Sequence, residues 1–228
     1  MNAQKSTEST DIPPSRKILA QLLDGILEDS VFEGWNDETL RNTAKRLNIS
    51  KGQVLLAAPE GISSLLEAWA DNADDHARDI LKNTDLTQLK IRQRIALGVR
   101  ARISYLSDNK EAARRASHAL AAPWRAGLGP KIIWNAADTI WSALGDKSTD
   151  ANWYSKRLVL SGVLTSTISH WLASDDENDD STWEYLDDRI ENVMQFEKAK
   201  AQVKNFTDKL PDPLDLLKFV PKSGPLGK

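Results

Sequence analysis

Apolar residues recur at steps of three and four along most of this chain, the spacing that gathers them on one side of a helix. Ile18, Leu19, Leu22, Leu23, Ile26 and Leu27 form such a stripe and predict a first helix over about Arg16–Asp29. Gly34 breaks the chain, and Asn36 is a natural cap for a second helix carrying Leu40, Ala44 and Leu47, with Asn48 able to close it in the left-handed conformation. Ser50-Lys51-Gly52-Gln53 has the form of a capping box and opens a short third helix, Lys51–Ala57. Pro59 starts a fourth, with Ile62, Leu65, Leu66, Trp69 and Ala73 on one side.

The periodicity continues. Thr87–Ser107 carries Ile91, Ile95, Val99, Ile103 and Leu106 in one stripe, which Leu89 and Leu97 widen. Lys110–Ala122 is Ala-rich and helical, and Pro123 and Gly127 mark a loop. Lys131–Leu144 is apolar over much of its surface, and Gly145 follows as its C-cap. Ala151–Ser174 is predicted as a long helix with little polar face between Leu158 and Leu164, the pattern of a centrally buried element. An acidic loop, Ser174–Asp180, precedes a second capping-box sequence, Ser181-Thr182-Trp183-Glu184, and a last helix with Leu186, Ile190, Val193, Met194 and Phe196. No strand-like alternation flanked by hairpin turns is found, so the fold class is all-α. The expected organisation is a disordered tail over 1–15, a helix-turn-helix head over 16–78, a helical body over 79–206, and a proline-broken tail over 207–228 with one short amphipathic segment, Leu214–Val220.

Composition narrows the function classes. With 40% hydrophobic and 28% charged residues, the chain has the mixture of an ordinary globular protein and can bury a sizeable core. The formal net charge is −3, which does not favour nucleic acid. There is no cysteine, which excludes disulfides, thiolate catalysis and cysteine-based metal sites. No run of 18 or more apolar residues occurs, and the N-terminal segment lacks the apolar stretch of a secretory signal. Tryptophan is abundant, with 8 Trp against 4 Phe and 3 Tyr.

Catalytic chemistry is not legible. His76, His118 and His170 fall on three separate helices, none with a second histidine at helical spacing, and surface or half-buried positions are expected for them. GxSxG, P-loop and GxGxxG motifs are absent, so neither enzyme activity nor a cofactor or metal is expected. The adjacent Trp153 and Tyr154 are more informative. They point about 100° apart on a helix, so both are not expected to be fully buried: an exposed one would be a partner anchor, as Trp, Tyr and Arg often are, and the alternative is that both cap the core near the helix start. In the body, small residues such as Ala136, Ala137, Ser161 and Gly162 alternate with large apolar ones. That pattern predicts a close-packed core, with an apolar cavity for a long hydrophobic ligand as the functional alternative.

The plan of a small helix-turn-helix head followed by a larger helical body resembles TetR-type regulators. Their third helix needs donors for bases and phosphates; here only Lys51 and Gln53 qualify, beside Val54, Leu55, Leu56 and Ala57. A transcriptional regulator sensing a hydrophobic ligand is therefore the alternative, and a head stripped of DNA chemistry the preferred expectation. A second resemblance is more specific. The segment GDKSTDANWYSKR (Gly145–Arg157), its continuation through Leu158–His170, and TWEYLDDRIENVMQFEKAKAQVK (Thr182–Lys204) resemble the coenzyme Q (ubiquinone) biosynthesis accessory family, the ninth numbered protein of that pathway. The likeness spans about Arg16–Lys204, more loosely in the head.

This resemblance implies a TetR-like fold that has lost DNA binding and gained a long, dry site for isoprenoid quinone intermediates or phospholipid. It implies a docking surface for the di-iron demethoxyubiquinone hydroxylase, peripheral membrane contact and a homodimer. By position, the partner-facing patch would comprise Ser148, Thr149, Asp150, Trp153, Tyr154 and Arg157. The expected lipid-lining residues are Ile133, Ala137, Ile140, Trp141, Leu160, Leu164, Ile190 and Met194, with Leu216, Leu217, Phe219 and Val220 as membrane contacts. Placement in the bacterial cytoplasm or on the cytoplasmic face of the inner membrane is expected, or on the matrix side of the mitochondrial inner membrane for a eukaryotic source.

Overall fold

The computed structural model describes residues 13–207 apart from residue 177, with side chains described up to Gln195. Among these residues there are nine α-helices and one 3-10 turn: α1 Pro14–Glu33, α2 Asp37–Arg46, α3 Lys51–Ala57, α4 Ile62–Asn83, α5 Ile91–Ser107, α6 Lys110–Leu120, the turn Pro123–Arg125, α7 Leu128–Ala143, α8 Ala151–Ala173 and α9 Asp180–Thr207. The expected tail at 1–15 and the segment Leu214–Val220 lie outside the described residues, save that Pro14 and Ser15 open α1. Proline suits that first position because its missing N–H has no helical partner there.

The local signals act as expected in the head. The Asn36 side chain accepts from the Glu38 and Thr39 amides at 2.9 and 3.0 Å and caps α2. Asn48 takes φ 57° after α2, and the reciprocal Ser50/Gln53 box opens α3. Gly145 takes φ 77° after α7, in the left-handed region where a Cβ would strain the backbone. Other boundaries moved. α5 begins at Ile91 rather than Thr87, and α7 begins at Leu128 rather than Lys131. The expected Ser181–Glu184 capping box is not formed. α9 opens one residue earlier, and the Asp176 carboxylate instead accepts from the Ser181 amide at 2.9 Å.

α4 is the central element, packed against α5 and α7 in the body and against α1 in the head. It runs from 62 to 83, through the expected head–body division at residue 78. Trp35, between α1 and α2, seals the junction: it stacks on Trp69 of α4 with ring centroids 5.4 Å apart, and its indole N–H donates to the Ala112 carbonyl of α6 at 3.0 Å. One apolar core accordingly runs through both parts. α7 packs on α8, α8 on α9, and α9 returns to α5, so the body closes on itself. Gly98 permits the close approach of α5 to α7, because a Cβ there would lie 3.0 Å from the Ile140 side chain.

Three expected core positions are on the surface. α8 is an outer helix with an open face, and Leu158 and Val159 are 67% and 36% exposed, not buried at the domain centre. Ile91 is 45% exposed, because it sits in the first turn of α5, at the rim of the groove described next.

Candidate ligand groove and aromatic patch

The N-terminal half of α8 carries two features. Asp150 caps the helix, its carboxylate accepting from the Asn152 amide at 2.9 Å. From there Asn152, Ser155, Lys156, Val159, Leu160 and Val163 form one wall of a groove of about 340 Å³. α5 supplies Ile91, Arg92 and Ile95, α7 supplies Trp141, and α9 supplies Ile190, Val193 and Met194. That volume lies at the small end of the usual range for ligand sites. Its lining is mostly aliphatic, with Asn152, Ser155, Lys156 and Arg92 as the polar groups.

Four of the eight expected lipid-lining residues are in this groove: Trp141, Leu160, Ile190 and Met194. Ala137, Ile140 and Leu164 are corrections. They are at most 1% exposed in the close-packed core and do not line the groove. Ile133 lines a separate cavity of about 100 Å³. In place of the long, dry site that the resemblance implies, the apolar space is a groove whose rim residues Ile91 and Val159 reach solvent.

The outer side of the start of α8 carries an aromatic cluster. Trp153 and Tyr154 meet edge to face at 4.8 Å, and Trp134 of α7 approaches them at 5.9 and 6.4 Å. Tyr154 is 64% exposed, Trp153 and Trp134 are half-buried, and Leu158 continues the patch one turn on. Of the other expected patch members, Thr149 and Asp150 are exposed, and Ser148 is half-buried with its hydroxyl donating to Asp146 at 2.6 Å. Arg157 is a correction: at 2% exposure it is not a surface contact. Its Nε donates to Asp138 at 2.5 Å, and one terminal nitrogen donates to Asp146 at 3.1 Å and to the Trp153 carbonyl at 3.2 Å. The Trp153 ring lies 3.9 Å from the guanidinium carbon. Arg157 thus supports the patch from beneath.

Asp146 joins groove and patch. One carboxylate oxygen takes Arg157, and the other takes the Ser148 hydroxyl and the Lys156 ammonium, the latter at 2.7 Å. Burial alone would raise this carboxyl, but hydrogen bonds from Lys156, Ser148 and Arg157 hold it well below the usual carboxylate range. Lys156 also lies over the Trp141 ring at 5.2 Å, and the Trp141 indole donates to the Lys156 carbonyl at 3.1 Å. None of Asp146, Asp138, Lys156 and Trp134 stood out in the sequence. With 33 acidic residues in the chain, no spacing rule selects the two that meet one arginine.

The remaining candidates are dispersed. α3 shows solvent Leu55 and Leu56, 65% and 70% exposed, while Gln53 accepts from the Ser50 amide at 2.9 Å. His76 leans on Tyr105, and His170 stacks on Tyr185 at 4.4 Å. Among the described residues no group of three or more potential metal ligands exists, and no helix is long and apolar enough to cross a membrane.

Comparison with known proteins fits this arrangement. A TetR transcriptional regulator from Nitrosomonas europaea superposes with a TM-score of 0.65 at 16% identity, covering 78% of this chain and 99% of that one. The fold is therefore TetR-like. Residues 126–197, which include α7, α8 and the described part of the α9 groove wall, match the COQ9 family model. The rat protein named ubiquinone biosynthesis protein COQ9, mitochondrial, is 26% identical over 209 residues, 89% of this chain and 67% of the relative. Its human counterpart is 24% identical over 208 residues, 89% and 65%. The chain spans about two thirds of the length of these curated relatives. The resemblance read from the sequence is thus supported by the match over residues 126–197 and by these relatives, on a TetR-like fold.

Proposed function

We propose that this chain is a non-catalytic accessory protein of ubiquinone biosynthesis, which binds an isoprenoid quinone intermediate in the α5–α8–α9 groove and presents it to an enzyme docked on the aromatic patch. One observation carries this: the N-terminal half of α8 forms both a groove wall with Ser155, Lys156 and Val159 and an exposed aromatic surface with Trp153 and Tyr154. A greasy chain gains roughly 0.8 kcal/mol for each methylene moved out of water, so it needs apolar cover on its way to an active site. A groove of 340 Å³ covers a ring and the first part of a tail and leaves the rest for a membrane or a second copy of the chain. The names of the mitochondrial relatives support the pathway. The partner we assign is the di-iron hydroxylase of demethoxyubiquinone, with the chain acting as a peripherally membrane-associated homodimer. The apolar tip of α3 counts against DNA binding, since Lys51 is the one outward cationic donor on that helix.

Native mass spectrometry of gently extracted protein tests the first half. A co-purified isoprenoid lipid is expected, lost when Val159 in the groove wall becomes Asp; protein that carries no lipid under any mild extraction would refute the carrier role.

A further inference from the structure

The groove contains two cations, and each is neutralised within the protein. Arg92 pairs with Glu191 at 3.1 Å and Lys156 with Asp146 at 2.7 Å. The groove therefore offers no net positive charge to a phosphate and suits a neutral oxygen acceptor. An ammonium has three N–H donors. Lys156 uses two, one to Asp146 and one to the Ser148 hydroxyl at 2.7 Å, which leaves a third in a residue that lines the groove. Lys156 is 38% exposed at its side chain, so it has room to move; its acceptor Asp146 is 4% exposed and held from several sides.

We propose that Lys156 is the polar anchor of the groove, donating to a neutral ring oxygen of the ligand, and that this bond shifts the aromatic patch through Asp146 and Arg157. The inference rests on the groove being the ligand site, as proposed above. Drawing Lys156 toward a ligand weakens its hold on one oxygen of Asp146. The carboxylate then settles on its other partner, Arg157, whose guanidinium lies against the Trp153 ring and donates to the Trp153 carbonyl. Occupancy of the groove is thereby reported at the docking surface, about one helical turn away. By reciprocity, a partner that reorders Trp153 alters ligand affinity by the same factor.

The full-length protein carrying 5-fluorotryptophan tests this by fluorine NMR, with Trp141 and Trp153 assigned through Trp141→Phe and Trp153→Phe. The probe is a decyl benzoquinone. Saturating probe is expected to move both the Trp141 resonance in the groove wall and the Trp153 resonance in the patch. In Lys156→Met the Trp141 resonance still moves, at several-fold higher probe concentration, and Trp153 stays in place. A Trp141 shift with Trp153 unmoved in the parent protein would overturn the coupling and leave the groove as ligand site. A Trp153 shift that persists in Lys156→Met would overturn the role of this lysine. If Trp141 does not move at all, the groove is not the ligand site and both proposals fall.

Discussion

Two buried arginines organise this protein in opposite ways. Arg102, on α5, lies 4% exposed against Asp74 of α4, 5% exposed, with a single Nε bond of 2.7 Å between them. Arg157, on α8, is 2% exposed and spreads its donors over Asp138, Asp146 and a backbone carbonyl. The carboxylates respond with opposite signs. Burial pushes the Asp74 carboxyl above its ordinary value, and one guanidinium does not offset it. Several donors around Asp146 overcome the same penalty and pull it down. A buried ion pair with few hydrogen bonds is a poor source of stability; a carboxylate met by several donors is a rigid anchor. The first locks two core helices, and the second lies where the groove and the patch meet.

The largest expected effect is at the core pair. Arg102→Met leaves the Asp74 carboxylate buried without a partner and should cost about 3–5 kcal/mol, read from the denaturant midpoint. A double variant with Asp74→Leu should recover most of that loss; a single variant as stable as the parent would break the contrast.

Next is Asp146→Asn, expected to cost about 1–3 kcal/mol at pH 7 because it weakens the acceptor for Lys156, Ser148 and a buried guanidinium. Its pH dependence separates the two sites. A carboxyl lowered by folding contributes stability above its unfolded pKa of about 3.9, lost as pH falls toward the folded value. The gap in melting temperature between parent and Asp146→Asn should therefore narrow below about pH 4. For Asp74, raised by folding, the sign reverses: that site gains relative stability as pH falls, so acid does not narrow the gap to Asp74→Asn by loss of the parent's carboxylate.

The smallest effect on folding is expected at the patch itself. Tyr154→Ala removes a largely exposed ring, so stability should stay within about 0.5 kcal/mol. Affinity for the hydroxylase proposed as partner should fall about tenfold or more in a pull-down titration, as for an aromatic anchor. Unchanged affinity would remove Tyr154 from the interface.

Local chemistry made much of the head legible. The Asn36 cap, the Ser50/Gln53 box, and the left-handed Asn48 and Gly145 all depend on contacts within a few residues. Periodicity likewise located the helices, with errors confined to their ends, where capping by another nearby group such as Asp176 competes with the candidate that the spacing selects. The groove was half legible. Trp141, Leu160, Ile190 and Met194 line it, while Ala137, Ile140 and Leu164, equally apolar, fill the core. Hydropathy gives a residue's tendency to leave water, not whether a neighbouring helix or a cleft receives it.

The amino-acid order by itself determined the all-helical character, the helix-turn-helix plan, a surface aromatic at the Trp153–Tyr154 pair and the resemblance carried by Gly145–Arg157, because each of these is written in spacing or in a short run of residue types. Only the tertiary structure decided that α8 is an outer helix, that the apolar site is an open groove, and that Arg157 lies beneath the aromatic patch instead of on it. Those outcomes depend on which helices pack on which and on three carboxylate or carbonyl acceptors converging from α7, the following turn and α8, distances that no local pattern encodes.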